Sequence, residues 1–545
     1  MEDQSTLSNS TNSPESMNYA ARSLQRCLKE HKCCKTSRPL GSWYPTRLLD
    51  VNPKYESIVK LVCSKEDIIN GPYVTLSHFW GSSVPLRLTT DSLAIFKTGI
   101  SWPSIPQTFK DAIEVTRRMG VRYLWIDSLC IIQEGDNLED WSHESKLMCE
   151  VYSNCLFNIS ALVAKDSSHG IFATRTPSLI QSHIFQDNNP AHKGLTKRNT
   201  YQLSERDIWI TQIEKSHLST RAWYVQERLL SPRILYFGSQ RLFWECRGKS
   251  GIEGHSQGSA WLGYSKTRDP DKRGKKAWRV IVPIYRRAQL TKPEDKAVAI
   301  YRLARLVQER TGDEYFAGLW KRDLIEQLLW RVITDSKSNY RPLPRPEIYR
   351  APTFSWMSVD NEVTTQGLNI NGEFIAEIIG FPTEGKPMEF AGDVRQQFIR
   401  LRGSLKKVHL WAVDAQLRGG SQYKQWYITL ADETTKKFCG GGVTMTRPQP
   451  EEYNLRYNVL IDTEPSYKDC ERLYCMVIAK WENAKSMEGL VLETEEPNEG
   501  TFKRIGYFCV RSGRGRQLLV PSSHGDDLPC DILDSMTGKC TIRIS

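Results

Sequence analysis

Apolar residues in the first half of the chain follow two alternating rhythms. Largely apolar runs occur at Tyr73-Val74-Thr75-Leu76-Ser77, at residues 121–126 and at residues 155–161. A run of about four to eight such residues bounded by polar ones is the pattern of a strand buried on both faces. Between the first two runs, Phe109, Ala112, Ile113, Thr116 and Met119 recur at helical spacing, with Pro106 suited to the first turn and Gly120 ending it. After the second run, Leu138, Trp141, Ser145, Met148 and Tyr152 give another amphipathic helix. Strand, helix, strand, helix, strand is the order of an α/β parallel sheet with right-handed crossovers.

The pattern changes along the rest of the chain. Residues 1–20, rich in Ser, Asn and Thr, predict a disordered tail, and 21–55 a short lead-in. The α/β pattern fills 56–250, with an irregular excursion at about 162–218, a helix at 221–230, a strand at 233–237 and a hairpin-like segment at 241–246. A basic loop and helices (near 275–289, 294–309 and 320–333) occupy 251–350. From 351 to 545 the chain is β-rich, with strands expected at 397–401, 426–430, 458–461, 473–479, 502–510 and 541–544.

Composition narrows the function. A chain of 545 residues exceeds what one core organises, and its 16 Trp, 22 Tyr and 17 Phe supply ample apolar surface for folded domains. No apolar run reaches a membrane span and the N-terminus has no hydrophobic signal core, so a cytoplasmic protein is expected, with the nucleus as the other compartment. The 14 Cys follow no repeating framework and read as reduced thiols. Net charge is +11, part of it in Lys272, Arg273, Lys275, Lys276, Arg279, Arg286 and Arg287. Without a nucleic-acid motif this reads as a solvated loop entering a helix, with a nucleic-acid-associated regulatory role as the weaker alternative.

Candidate chemistry gathers where strands end. In open α/β sheets ligands bind at the carboxyl ends of the strands. Ser77, His78, Trp80 and Gly81 follow the first strand, Gly81 permitting a tight turn, and Asp127 follows the second in the run Leu124-Trp125-Ile126-Asp127-Ser128-Leu129-Cys130. Trp223 and Glu227 are four residues apart on one helix face, where a carboxyl beside an indole is partly desolvated. An ion pair of Glu227 with Arg221 or Arg228 is the alternative. Cys27, His31 and Cys34 have metal-ligand spacing, but without the second ligand pair of a zinc finger plain cysteines are the expectation.

These blocks, in order, resemble the fungal heterokaryon-incompatibility (HET) domain family. They are Leu76-Ser77-His78-Phe79-Trp80-Gly81; residues 124–133; Asp140-Trp141 with Met148, Val151 and Tyr152; and Arg221-Ala222-Trp223 with Gln226, Glu227, Leu229, Leu230 and Ser231. The segments Tyr315-Phe316-Ala317-Gly318-Leu319-Trp320 and Ala351-Pro352-Thr353-Phe354-Ser355-Trp356 resemble those found after the domain in long members of the family. His78 stands where members often have Tyr, and Ile132 where they often have Asp. The resemblance implies a non-self-recognition effector that promotes programmed cell death, acting by self-association or with a protein partner encoded at an incompatibility locus. HET domains are also similar, remotely, to Toll/interleukin-1 receptor (TIR) domains, several of which hydrolyse NAD. That likeness implies a flavodoxin-like sheet and an alternative activity, NAD glycohydrolase. Glu227 and Asp127 would be catalytic, Ser77, His78, Trp80, Gly81 and Trp223 would bind NAD, and no metal or further cofactor is implied.

Overall fold

The computed structural model describes residues 7–35, 41–52, 54, 58–81, 86–180, 183–186, 200–203, 208–254, 278, 281–283, 285–286, 295–333, 343–365, 373–381, 397–416, 422–430, 457–462, 472–481, 486–495, 500–511 and 528–545. They form two compact units, one of residues 1–273 and 288–291, the other of 274–287 and 292–545.

The first unit is built on a nine-stranded mixed sheet. Its strands are β1 (Arg47–Asp50), β2 (Ile58–Cys63), β3 (Tyr73–Ser77), β4 (Ile100–Ser101), β5 (Tyr123–Trp125), β6 (Asn158–Ala161), β7 (Arg233–Phe237), β8 (Leu242–Cys246) and β9 (Ser250–Ile252). They lie in the order β9-β8-β7-β6-β3-β5-β1-β2-β4. The expected parallel arrangement holds for the four central strands, since β7 runs parallel to β6, β6 to β3 and β3 to β5. Antiparallel strands extend the sheet on both sides, through β1 beside β5 and β8 beside β7. β3, β5, β6 and β7 are buried along their whole length, as their apolar runs predict.

Three helices fall where hydrophobic spacing places them: α2 (Gln107–Arg118), α3 (Glu139–Ser153) and α4 (Ala222–Leu230). A fourth, α1 (Pro14–Glu30), corrects the expectation of a disordered tail reaching residue 20. The polar residues there do local work. Ser13 Oγ accepts from the Ser16 amide at the N-cap and Pro14 occupies the first turn. Met17, Ala20, Leu24 and Cys27 then form a buried stripe. Arg175 and Glu253, both buried, form a bidentate pair of 2.6 and 2.9 Å, and Ser16 Oγ donates to Glu253 Oε1 at 2.6 Å, tying α1 to the chain beyond β9.

The second unit has a different logic. Its sheet has 11 strands, and six of them close on themselves. Leu405–Gln416 pairs with Gln422–Leu430, which pairs with Tyr457–Ile461, then Thr501–Arg511, Ser486–Thr494, Leu473–Trp481 and back to Leu405–Gln416, antiparallel throughout. Closure removes the exposed edges of such a sheet. Val408, Ile428, Ile461, Leu473, Val491 and Phe508 belong to one buried apolar cluster of this sheet. The six strands expected after residue 397 are present, while Leu405–Gln416 and Ser486–Thr494 were not anticipated. The helix expected at 294–309 spans Asp295–Thr311, whereas the one expected at 320–333 is reduced to the single turn Leu324–Gln327 between the short strands Leu319–Trp320 and Arg331–Val332.

Of the basic residues at 272–287, Arg286 is buried and donates to the Asn361 carbonyl; the other six lie outside the described residues. Among the described residues, no helix is long and apolar enough to cross a membrane.

Candidate functional site

The site forms where the order of the parallel strands reverses. The chain's first parallel strand, β3, has the second, β5, on one side and the third, β6, on the other. Such a switch point leaves a crevice at the carboxyl ends of the strands, because successive crossovers depart to opposite faces. Ser77 ends β3 and is in register with Ser160 of β6, and Asp127 lies two residues beyond the last residue of β5.

Buried polar groups pack beneath this edge. Asn158 Nδ2 donates to Ser77 Oγ at 2.8 Å, and Thr75 Oγ1 donates to Asn158 Oδ1 at 2.9 Å, which fixes the Ser77 side chain. Glu227 comes from the middle of α4 and is only 2% exposed. Burial pushes its carboxyl up to about 7, opposed by the Arg221 charge and the hydroxyls of Ser77 and Tyr152, while Asp127 adds to the rise. The three acids and hydroxyls that the sequence singled out (Ser77, Asp127 and Glu227) therefore act on one another. Tyr152, on the inner face of α3, joins them.

A second layer lies nearer the solvent. Asp127 accepts from Trp80 Nε1 at 3.0 Å through Oδ2 and from the Ser128 amide at 2.8 Å through Oδ1. Arg221, at the N-cap of α4, brings Nη2 to 3.7 Å from Asp127 and donates Nη1 to the His78 carbonyl. The His78 ring is 1% exposed, with Phe109 edge-on at 5.0 Å and Trp80 stacked at 6.3 Å. Burial pushes its imidazole down to about 4, so the ring is neutral at physiological pH although Nδ1 lies 3.8 Å from Asp127 Oδ1.

Two of these buried groups lack hydrogen-bond partners among the described residues: Glu227 Oε2, and both ring nitrogens of His78. Leaving a buried polar atom unmatched costs about 1–3 kcal/mol, and such atoms are uncommon in folded proteins. Several at one strand edge, with an acid shifted towards neutrality, mark a place built to meet something further. A carboxyl near 7 is suited to accept a proton at physiological pH, and the Asp127–Arg221 pair supplies both charges at the rim.

The other residues singled out by sequence have different surroundings. Trp223 is half-buried and packs edge-on against Trp141 at 6.4 Å. The alternative partner Arg228 pairs instead with Glu245 at 3.2 Å. Gly81 has φ +71°, and a Cβ there would lie 2.5 Å from Asp166 Cβ, so the residue serves the turn and its close approach to the neighbouring loop. Asp140, from the third sequence block, accepts two bonds from Arg47 of β1 and one from the Ile132 amide, fixing the turn that carries Asp127. Asn158 was legible only as a strand position, Tyr152 as a helix and motif position, and Arg221 as a motif residue and alternative ion-pair partner of Glu227. Cys27, His31 and Cys34 come together at the other end of the sheet with Cys246, which sequence spacing did not associate with them. Cys246 is in register with Arg233, the first residue of β7.

Residues 73–227 match the model of the family described as Heterokaryon incompatibility protein (HET). The match begins on the first residue of β3 and ends on Glu227, so it spans the strand-end cluster and identifies this segment as a HET domain. No curated protein and no solved structure matches the chain. A heterokaryon-incompatibility type of function follows in general terms.

Proposed function

We propose that the chain is an effector of heterokaryon incompatibility that brings about cell death, and that its HET domain does so by hydrolysing the nicotinamide–ribose bond of NAD+. The observation carrying this reading is Glu227: a buried carboxyl near 7 with an unmatched oxygen, at a strand-order reversal, beside Ser77, Tyr152, Asp127 and Arg221.

The chemistry suits these groups. As the N-glycosidic bond breaks, its electron pair returns to the pyridinium nitrogen and nicotinamide leaves neutral, so no strong acid is needed. The ribose is left as an oxocarbenium-like centre, which a nearby carboxylate stabilises electrostatically. Water then attacks the anomeric carbon and gives its proton to the Glu227 carboxylate. In this reading Arg221 meets phosphate and Asp127 meets ribose hydroxyls. Trp80, held through its indole N–H, offers a flat face beside them.

The competing reading is death by assembly, through self-association or a partner encoded at an incompatibility locus, in which the strand-end acids only support the fold. Expression in a fungal host separates the two. The hydrolase reading expects growth arrest together with a fall in cellular NAD+, both abolished by Glu227→Gln. Arrest with NAD+ unchanged, persisting in Glu227→Gln, would discard it in favour of assembly.

A further inference from the structure

Three cysteines and one histidine from two distant parts of the chain converge at the amino-terminal edge of the parallel strands. Cys27 lies in the last turn of α1, His31 caps that helix, Cys34 follows in a short turn, and Cys246 ends β8. Their ligand atoms all lie within 4.8 Å of one another. The three cysteines are buried, at 1% exposure or less, and His31 is partly so.

From this geometry we infer a structural zinc site of the Cys3His type, with Cys27, His31, Cys34 and Cys246 as its four ligands. At the bond lengths of tetrahedral zinc, neighbouring ligand atoms stand about 3.3–3.8 Å apart, so the observed cluster needs to contract by about 1 Å at most. His31 Nδ1 is already 3.2 Å from Cys246 Sγ. Four protein ligands complete the coordination, which leaves no position for substrate and makes the site structural.

Two of the sulfurs accept hydrogen bonds, as metal-bound thiolates do. The Lys249 amide donates to Cys246 Sγ at 3.2 Å, and Arg233 Nε donates to Cys27 Sγ at the same distance. Arg233, 3% exposed, also bonds the carbonyls of Cys34 and Leu156. Three thiolates and one Zn2+ leave a single negative charge, and this buried guanidinium balances it. Gly248 keeps the turn after Cys246 open: a Cβ there would lie 2.7 Å from the His31 ring. An odd number of thiols around an imidazole is also a poor disulfide framework.

Such a site extends the folded domain beyond the matched segment. All four ligands lie outside residues 73–227, three before it and one after it. Zinc would pin α1 to β8 and make the flanking segments part of the folded domain. Binding releases the thiol protons, and because an unfolded chain offers no such site the metal adds to folding stability.

The test uses the full chain purified reduced and without chelator. Elemental analysis is expected to find one zinc per chain. After removal of the metal, Co2+ should give the visible d–d bands and near-ultraviolet thiolate charge-transfer band of a tetrahedral sulfur-rich site. Cys246→Ser and Cys34→Ser should lose most of the zinc, whereas Cys33→Ser, at an exposed neighbour outside the cluster, should keep it. If a ligand variant fails to fold, the wild-type cobalt spectrum still decides. A chain that purifies without metal and gives no thiolate–cobalt band overturns the inference. Equal zinc loss in Cys33→Ser and Cys34→Ser overturns the ligand assignment.

Discussion

Two clusters of buried charge, one in each unit, are partnered differently. In the second unit, Arg504 and Asp462 are both fully buried, and every group is matched. Arg504 Nε meets Asp462 at 2.7 Å, its other nitrogens meet the carbonyls of Leu328 and Trp330, and its guanidinium stacks on Trp330 at 3.5 Å. In the HET domain, Glu227 and His78 are buried almost as deeply with atoms left unmatched. Complete partnering is what architecture requires; incomplete partnering costs stability without structural return. Burial alone therefore does not mark a working site. Unmatched atoms alone do not mark one either, since both carboxyl oxygens of the buried Glu488 in the second unit also lack partners among the described residues; Glu227 is set apart by lying at the strand-order reversal beside Ser77, Asp127 and Arg221.

The largest effect expected from breaking the matched pair is on stability. Asp462→Ala strands the Arg504 charge and should cost about 3–5 kcal/mol in denaturant unfolding of the second unit. A cost below about 1 kcal/mol would mean that the pair is solvated and the comparison fails.

The unmatched site should behave in the opposite sense. Glu227 titrates near 7 in the folded chain and near 4.5 as its ordinary value, so between these pH values the folded state holds the extra proton. Its contribution to stability is full below about 4.5 and falls as pH rises through about 7. Glu227→Gln removes that loss and should stabilise the HET domain by roughly 1–3 kcal/mol at pH 8, with little change at pH 4.5. Destabilisation at pH 8 would show that the carboxylate is a structural partner.

His78 acts in the reverse direction. Its folded value near 4 lies below the ordinary 6.5, so its contribution is full above about 6.5 and lost as pH falls through about 4. His78→Phe should flatten the acid limb of the stability profile; an unchanged limb would mean that the ring takes up protons equally in the folded and unfolded chain. The smallest effect is expected from Trp80→Phe, which removes one bond to Asp127 at the half-open rim. It should cost about 1 kcal/mol or less in stability, and a larger loss would make Trp80 part of the core.

How much of this the sequence revealed depends on the range over which each feature is encoded. β3, β5, α2 and α3 are local patterns of spacing, and so were readable. Asp127 was readable as a functional position because a buried strand ends just before it. The environment of Glu227 depends on Ser77 and Tyr152, which are 150 and 75 residues away, and no local pattern encodes that. Cys246 was invisible as a metal ligand for the same reason. Helix α1 was hidden by its polar composition, since capping and the Arg175–Glu253 pair hold it alongside its apolar stripe. Ser486–Thr494 was missed because Glu488 and Gly489 disfavour a strand, and neighbours on both sides override that preference.

If the unmatched acid at the strand ends acts on a substrate, the purified, concentrated chain should release nicotinamide from NAD+. Glu227→Gln, assayed in parallel, is the decisive control. Release should rise with pH through about 7 and fall roughly 100-fold or more in Glu227→Gln. Absence of release at any pH, or equal release by the variant, would leave Glu227 without a catalytic role.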